Sequence, residues 1–219
     1  MKNYNPILFD LDGTLTDPGE GIRNSVSYAL TKYGLRMDEA ELNRFIGPPL
    51  AEGFQDFCGL SAAKAAEAVE FYREYYRGKG MLENRVYNGI PEMLAHLREQ
   101  GKILAVATSK PEIFARQILR HYELDRFFDV IAGSNLDGSQ SKKSEVAASA
   151  LAQCPAAPDG TAVLVGDRKH DIEGASLAGI DAVGVTFGYG SEEELLAAGA
   201  PVIAHSVAEL ECLLLSATF

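Results

Sequence analysis

The sequence predicts an α/β fold, a doubly wound parallel sheet with a small all-helical domain inserted after its first strand. Three observations predict it. Short apolar runs rich in β-branched residues alternate with helical patterns along most of the chain, the signature of parallel strands joined by crossover helices. The alternation fails between about Asp17 and Tyr87, where only helical patterns and no convincing strand are found. Glycine-bearing segments flank that interval and supply permissive backbone for a hinge: Asp17-Pro18-Gly19-Glu20-Gly21 on one side, Gly78-Lys79-Gly80 and then Asn88-Gly89 on the other. Residues 1–16 and 88–219 are read as the core and residues 17–87 as the insert.

In order, Ile7-Leu8-Phe9 gives the first strand, and later runs of the same character lie at 103–107, 129–132, 162–165, 182–186 and, weakly, 202–203. Pro91 opens a helix whose Met93, Leu94 and Leu97 face inward and which Gly101 ends; Pro111 opens another before Phe114 and Ile118. Helices are also expected over 145–151 and from near Asp171 to Gly179. Ser191 with Glu194, and Ser206 with Glu209, have capping-box spacing, the second leading into Leu210, Leu213 and Leu214.

Within the insert, Ile22, Val26, Ala29, Leu30 and Tyr33 follow helical spacing and Gly34 stops them. Asp38 opens a second helix carrying Leu42, Phe45 and Ile46, and Ser61 precedes a third with Ala65, Val69, Tyr72 and Tyr76 on one face. Tyr72, Tyr75 and Tyr76 read as part of that core face rather than as an aromatic binding box.

Composition narrows the class. At 219 residues, 47% hydrophobic and 23% charged, the chain can bury a sizeable core, and no stretch has the apolar length of a membrane helix. The opening Met1-Lys2-Asn3-Tyr4-Asn5-Pro6 leads into a strand-length run rather than a secretory leader, so a cytoplasmic location is expected. Cys58, Cys154 and Cys212 are widely spaced and form no metal or disulfide pattern. A net charge of −11 excludes a nucleic-acid polymer as main partner, because no basic stripe can release its counterions. A small anion would need local positive groups, and Lys110, Lys142, Lys143, Arg168 and Lys169 are available. Either a monomer or a homodimer is compatible with these features.

The chemistry concentrates where strands end, since open α/β sheets bind ligands beyond the carboxyl ends of their strands. The first strand runs into Asp10-Leu11-Asp12-Gly13-Thr14, where a turn at Gly13 lets both carboxylates reach one site. The second ends in Thr108-Ser109-Lys110 and a later one in Gly166-Asp167, with Asp171 nearby. Carboxylates gathered without a fixed cation repel one another, and oxygen-only ligation suits Mg²⁺. A carboxylate such as Asp10 can then attack phosphorus, Asp12 can serve as acid and base, and Thr108 with a lysine can hold the non-bridging oxygens. Asp167 and Asp171 also suit the amino end of the following helix. His170 reads as an exposed loop residue.

On these motifs the chain resembles the haloacid dehalogenase-like hydrolase superfamily, in its phosphoglycolate phosphatase-like branch with a helical cap after the first motif. The first motif is Asp10-Leu11-Asp12-Gly13-Thr14, the second Thr108-Ser109-Lys110, the third a lysine before Ser144-Glu145-Val146, and the fourth Gly166-Asp167 with Asp171. The resemblance implies a Rossmann-like core, Asp10 as nucleophile and Mg²⁺ ligand, Asp12 as acid/base and backbone ligand, Asp167 as the other protein ligand and Asp171 as a supporting acid, direct or indirect. Lys143 is taken as the third-motif lysine, with Lys142 the alternative. Gly13, Thr14, Thr108, Ser109, Lys110 and Lys143 are implied phosphate contacts, and Arg44 and Gly47, in the loop Gly47-Pro48-Pro49-Leu50, are implied substrate contacts from the cap.

Family dehalogenases lack the second aspartate of the first motif, and the mutases of this cap type carry a cap histidine where Ile22 stands here. Asn88 replaces a common proline at the second hinge. The implied activity is therefore a Mg²⁺-dependent phosphatase acting through an aspartyl-phosphate on a small phosphorylated metabolite, with the cap closing over it. Phosphoglycolate is the first candidate, a nucleoside 5′-monophosphate the second and pyrophosphate the third. A non-catalytic binding protein of the same fold is the rival.

Overall fold

The computed structural model describes residues 2–47, 49–137, 139–156 and 160–215. The chain opens with β1 (Tyr4–Phe9) and β2 (Thr16–Asp17), then runs through α1 (Gly19–Thr31), α2 (Glu39–Asn43), α3 (Leu50–Cys58) and α4 (Ala62–Gly78) to β3 (Arg85–Val86). There follow α5 (Ile90–Glu99), β4 (Leu104–Pro111), α6 (Glu112–His121), β5 (Val130–Ser134), α7 (Lys143–Gln153) and β6 (Thr161–Gly166). The last elements are α8 (Lys169–Leu177), β7 (Asp181–Val185), α9 (Glu192–Ala197), β8 (Ile203–Ala204) and α10 (Val207–Leu215). Two compact units result, Met1–Thr16 with Val86–Phe219, and Asp17–Arg85.

The first unit is built on a parallel six-stranded sheet of order β5-β4-β1-β6-β7-β8. From β1 the chain moves outward through β4 to β5, then returns to the other side of β1 and continues through β6, β7 and β8. The reversal falls between β1 and β6, where the loops leaving adjacent strands diverge and open a crevice. Register sharpens the point. Phe9 is level with both Val106 and Val165, so Asp10 leaves β1 between Ala107 of β4 and Gly166 of β6.

Alternation of side chains explains how both faces are filled. Leu8, Ala105, Ala107 and Leu164 join Val146, Ala147 and Ala150 of α7 and Ile172 and Ala175 of α8 in one apolar layer. Ile7, Phe9, Leu104 and Val106 alternate with them along β1 and β4 and are also fully buried. A strand covered on both sides needs the near-continuous apolar sequence seen at Ile7-Leu8-Phe9.

The helical unit packs α1 and α3 against α4. Tyr72 and Tyr76 are buried and stacked, with ring centroids 5.4 Å apart, as expected of a core face. Asp38 caps α2 with a reciprocal box: its Oδ1 accepts from Glu41 N, and Glu41 Oε2 accepts from Asp38 N. That helix is shorter than the apolar spacing suggested. It ends at Asn43, and Phe45 and Ile46 are buried beyond it, Phe45 meeting the rings of Phe54 and Phe57. Gly47, at φ +105°, lies in the left-handed region and ends the segment.

A further helix, α3, starts after Pro49, in keeping with a reading of that proline as a helix start. The expectation of no strand between Asp17 and Tyr87 is also corrected, since Thr16–Asp17 pairs with Arg85–Val86. Two-residue strands carry no readable periodicity. Pro48 lies outside the described residues.

The two later capping boxes form only by half. Ser191 Oγ accepts from Glu194 N, but the Glu194 carboxylate instead accepts from Lys169 N and Arg168 Nε, at the amino end of α8. Ser206 Oγ accepts from Glu209 N, whose carboxylate reaches His205 N, one residue short of the box.

α10 packs on α5, where His96 Nδ1 meets Glu211 Oε1. The hydrogen bond to Glu211 holds His96 above its ordinary value of 6.5. A raised histidine stabilises the fold fully below its unfolded value and loses that contribution as pH rises through the folded value. Amides of α10 should therefore exchange faster, relative to intrinsic rates, at about pH 8.5 than at about pH 6. His96→Gln should abolish the difference; an unchanged pH response in that variant would show the pair contributes nothing.

Candidate active site

The turn after β1 is set by a single carbonyl. Leu11 O accepts from the N–H groups of Thr14, Leu15 and Thr16, while Gly13 N donates to Thr16 O at 2.7 Å. Gly13 sits at φ +86°, and a Cβ there would run into the Asp167 carboxylate. Glycine is thus required twice, for the backbone region and for the approach of the β6 loop. The tight turn brings Asp10 and Asp12 together, and Asp10 N is tied back to Val165 O at 2.9 Å.

Two lysines meet these carboxylates. Lys143 Nζ lies 2.7 Å from Asp10 Oδ1, 2.8 Å from Asp171 Oδ1 and 3.1 Å from Ala107 O, and the residue is only 7% exposed. Its stem passes over Gly174, where a Cβ would come within 2.6 Å of Lys143 Cγ. Lys142, the other candidate, is exposed at the helix boundary. Lys110 Nζ lies 2.6 Å from Asp12 Oδ2. A lysine in the first turn of a helix opposes the macrodipole, so α7 tolerates Lys143 because of the carboxylates it faces. Burial alone would discharge that ammonium, but Asp10 and Asp171 together hold its pKa above the ordinary lysine range.

Asp167 and Asp171 come from β6 and α8. Asp171 lies at the amino end of α8 as expected, where its Oδ2 accepts from Arg168 N at 3.0 Å, and its Oδ1 faces Lys143. Asp167, 1% exposed, accepts from Tyr189 N at Oδ2, 2.8 Å away. Burial, then the charges of Asp171 and Asp10, push its carboxyl up to about 8. Burial likewise raises Asp12 above the ordinary carboxylate value, against the pull of Lys110, and raises Asp171 against the pull of Lys143.

The remaining residues are distributed as follows. Thr108 is buried at the bulge of β4 and its Oγ1 accepts from Lys110 N at 3.2 Å, whereas Ser109 is exposed. Thr14 is fully buried. Arg44 and Gly47 are exposed residues of the helical unit, with the Arg44 guanidinium 4.0 Å above the Phe57 ring. His170 is exposed, on the first turn of α8 rather than in a loop. Sequence reasoning missed the segment Phe187-Gly188-Tyr189-Gly190, whose backbone lines Asp167. Its two glycines after β7 were the available signal.

Four carboxylates here face two ammonium groups. Asp10, Asp167 and Asp171 each offer an oxygen within 4.8 Å of the others. Among the described residues, Asp12 Oδ1, Thr14 Oγ1 and Asp167 Oδ1 are buried with no hydrogen-bond partner. A buried carboxylate oxygen without a donor is costly, and oxygen-only donors fit a hard divalent cation. The residues present therefore suit such an ion, and the same pocket suits the oxygens of an anionic substrate.

The sequence matches the haloacid dehalogenase-like hydrolase family over residues 7–185. A Pseudomonas aeruginosa protein named 5′-nucleotidase is 50% identical over 195 residues, covering 89% of this chain and 88% of its own. A Mycobacterium tuberculosis protein named tyrosine-protein kinase PtkA is 43% identical over 201 residues, covering 91% of this chain and 68% of its own. The crystal structure of a putative phosphatase from Clostridium difficile superposes with a TM-score of 0.91 at 48% identity, covering 98% of this chain and all of that one. With strand order, strand-end carboxylates and sequence in agreement, the chain belongs to the haloacid dehalogenase-like hydrolase family.

Proposed function

We propose that this chain is a phosphatase that hydrolyses a small phosphomonoester through an aspartyl-phosphate on Asp10, with Mg²⁺ as cofactor. The observation that carries the reading is the pairing of a buried aspartate, Asp10, and a half-buried one, Asp12, on one turn in different electrostatic settings. Asp10 faces Lys143, and a carboxylate oxygen of Asp10 attacks phosphorus while the bond to the leaving oxygen breaks. Asp12, whose carboxyl burial raises above its ordinary value against the pull of Lys110, gives a proton to that oxygen. The Asp12 carboxylate then takes a proton from water, whose oxygen attacks phosphorus, releasing inorganic phosphate and restoring Asp10.

Asp10, Asp167 and the backbone carbonyl of Asp12 would hold the Mg²⁺, with Asp171 supporting them through Lys143 and the start of α8. Bound there, the ion neutralises phosphate charge that would otherwise repel the nucleophile. Lys143, Lys110 and the Thr108 hydroxyl stabilise the non-bridging oxygens as charge develops. The Thr14 and Ser109 hydroxyls contribute donors at the same rim, while Gly13, whose N–H is taken by Thr16 O, contributes the turn. Substrate choice is assigned to the helical unit, with Arg44 and Gly47 as contacts.

Half of the aligned residues are shared with a protein named 5′-nucleotidase, which favours a nucleoside 5′-monophosphate as substrate, ahead of phosphoglycolate and pyrophosphate.

Asp10→Asn should lower turnover of every phosphomonoester by about a thousandfold or more. Asp12→Asn should cost about a hundredfold to ten-thousandfold on an alkyl phosphate and less on a nitrophenyl phosphate, whose leaving group needs little proton assistance. Comparison of kcat/KM for nucleoside monophosphates, phosphoglycolate and pyrophosphate at matched concentration sets the substrate. Undiminished turnover by Asp10→Asn would end the covalent mechanism, and equal rates across the three compounds would end the nucleotide assignment.

Chelation gives a separate check. Removal of divalent ions should abolish turnover and lower the thermal midpoint, and added Mg²⁺ should restore both, since an ion bound only by the folded state stabilises it by mass action. Full activity in excess chelator would exclude the cofactor.

A further inference from the structure

The loop of residues 187–190, which follows β7, has no part in the roles proposed above. It nevertheless encloses Asp167 with bare backbone. A Cβ on Gly190 would collide with the Asp167 carbonyl, and one on Gly188 would collide with Gly13 O and come within 2.5 Å of Asp167 Oδ2. With no side chain at either position, the intervening Tyr189 N–H reaches Asp167 Oδ2 at 2.8 Å. The start of the loop is anchored by Phe187, whose ring meets Tyr87 edge-on at 5.3 Å, and Tyr87 N in turn donates to Leu15 O of the turn that follows Asp10 and Asp12.

The two Asp167 oxygens differ as a result. One is satisfied by Tyr189; the other, Oδ1, is buried with no hydrogen-bond partner and belongs to the carboxylate most fully enclosed in the cluster. An aspartate whose role were only structural would be expected to satisfy both oxygens, because an unmet buried acceptor costs stability. The two glycines matter because they allow one donor to approach one oxygen and exclude a second orientation of the carboxylate.

We propose that the loop of residues 187–190 is a positioning device for Asp167: the Tyr189 N–H holds Oδ2, fixes the carboxylate plane and leaves Oδ1 directed at the divalent cation. Gly188 and Gly190 are positioning residues, since they act through Asp167 and touch no reacting atom. The inference rests on the cation reading of the preceding subsection and deepens it. Outer partners that orient a ligand commonly set affinity without changing the donor set.

The test is cation affinity measured directly on the whole protein, by calorimetric titration with Mg²⁺ and with Mn²⁺. Gly188→Ala should weaken binding about ten- to a hundredfold, the range found when such supporting contacts are lost. Its kcat should recover towards the wild-type value at saturating Mg²⁺, because Asp10, Asp12 and Lys143 keep their side chains and occupancy of the weakened site is restored. Gly184→Ala, in β7, serves as the structural comparison: its Cβ would meet Leu195 Cδ1 at 3.0 Å, so it should lower the thermal midpoint while leaving cation affinity unchanged.

Because Gly188→Ala strains a backbone contact, the Tyr189 amide resonance of the wild-type protein provides a second measurement. That resonance should shift during the Mg²⁺ titration with the calorimetric midpoint. A wild-type protein that binds no divalent cation would overturn the cation reading itself. Wild-type binding together with equal affinity in Gly188→Ala, or a Tyr189 amide that stays fixed while the cation binds, would overturn the positioning role alone.

Discussion

Four aspartates are held at the carboxyl end of a parallel sheet with two lysines among them, and burying that much like charge is the constraint to which the surrounding structure answers. An isolated buried carboxylate is far less stable than a solvated one, so each must find a donor, an ammonium group, a proton or a metal. Asp10 finds Lys143, Asp12 finds Lys110, and Asp171 finds Lys143 and the amino end of α8. Asp167 has one backbone N–H, and burial with the charges of Asp171 and Asp10 pushes its carboxyl up to about 8. The glycines at 13, 166, 174 and 188 leave room for this arrangement, because a Cβ at each would meet a member of the cluster or its immediate support.

The arrangement also explains why residues of one type do different work. Asp10 and Asp12 are separated by a single leucine, yet a shared carbonyl turns the chain so that one faces the α7 lysine and the other the β4 lysine. Burial raises Asp12 above the ordinary carboxylate value despite its ion pair, the direction that suits an acid. Lys143 remains charged in a buried position because two carboxylates share it. Environment, rather than residue identity, separates nucleophile, acid and electrostatic support in this reading.

The sheet supplies the precision. Parallel register places the residues that end β1, β4 and β6 side by side, and the reversal of strand order beside β1 opens the space they share. Lys143 and Asp171 come from the first turns of α7 and α8, which lie against the same sheet. Two neighbouring helices packed in one layer on the sheet hold these side chains in place. The site is accordingly a property of strand ends and helix starts, which is the part of an α/β fold least able to drift.

The alternation of apolar runs with helical patterns, the acidic turn at Asp10 and Asp12, the aspartates at 167 and 171, and the helical character of residues 17–87 were all legible in the sequence, because each depends on local periodicity or local spacing. Other features were not legible. The early end of α2 and the two-residue pairing at the junction escaped because short elements have no period to read. The choice of Lys143 over Lys142 needed the helix phase that turns one inward and the other to solvent. Glu194 offered a capping pattern within its own helix and was taken instead by Lys169 N at the start of α8 and by the Arg168 guanidinium. The loop around Asp167 is the clearest case. Tyr189 lies 22 positions from Asp167 and contributes only a backbone N–H, so no side-chain chemistry marked it. The sequence by itself determined the fold class and the residue types that meet at the strand ends. Tertiary structure alone decided which oxygen faces which donor, because that depends on atoms brought within 3 Å of one another from distant parts of the chain.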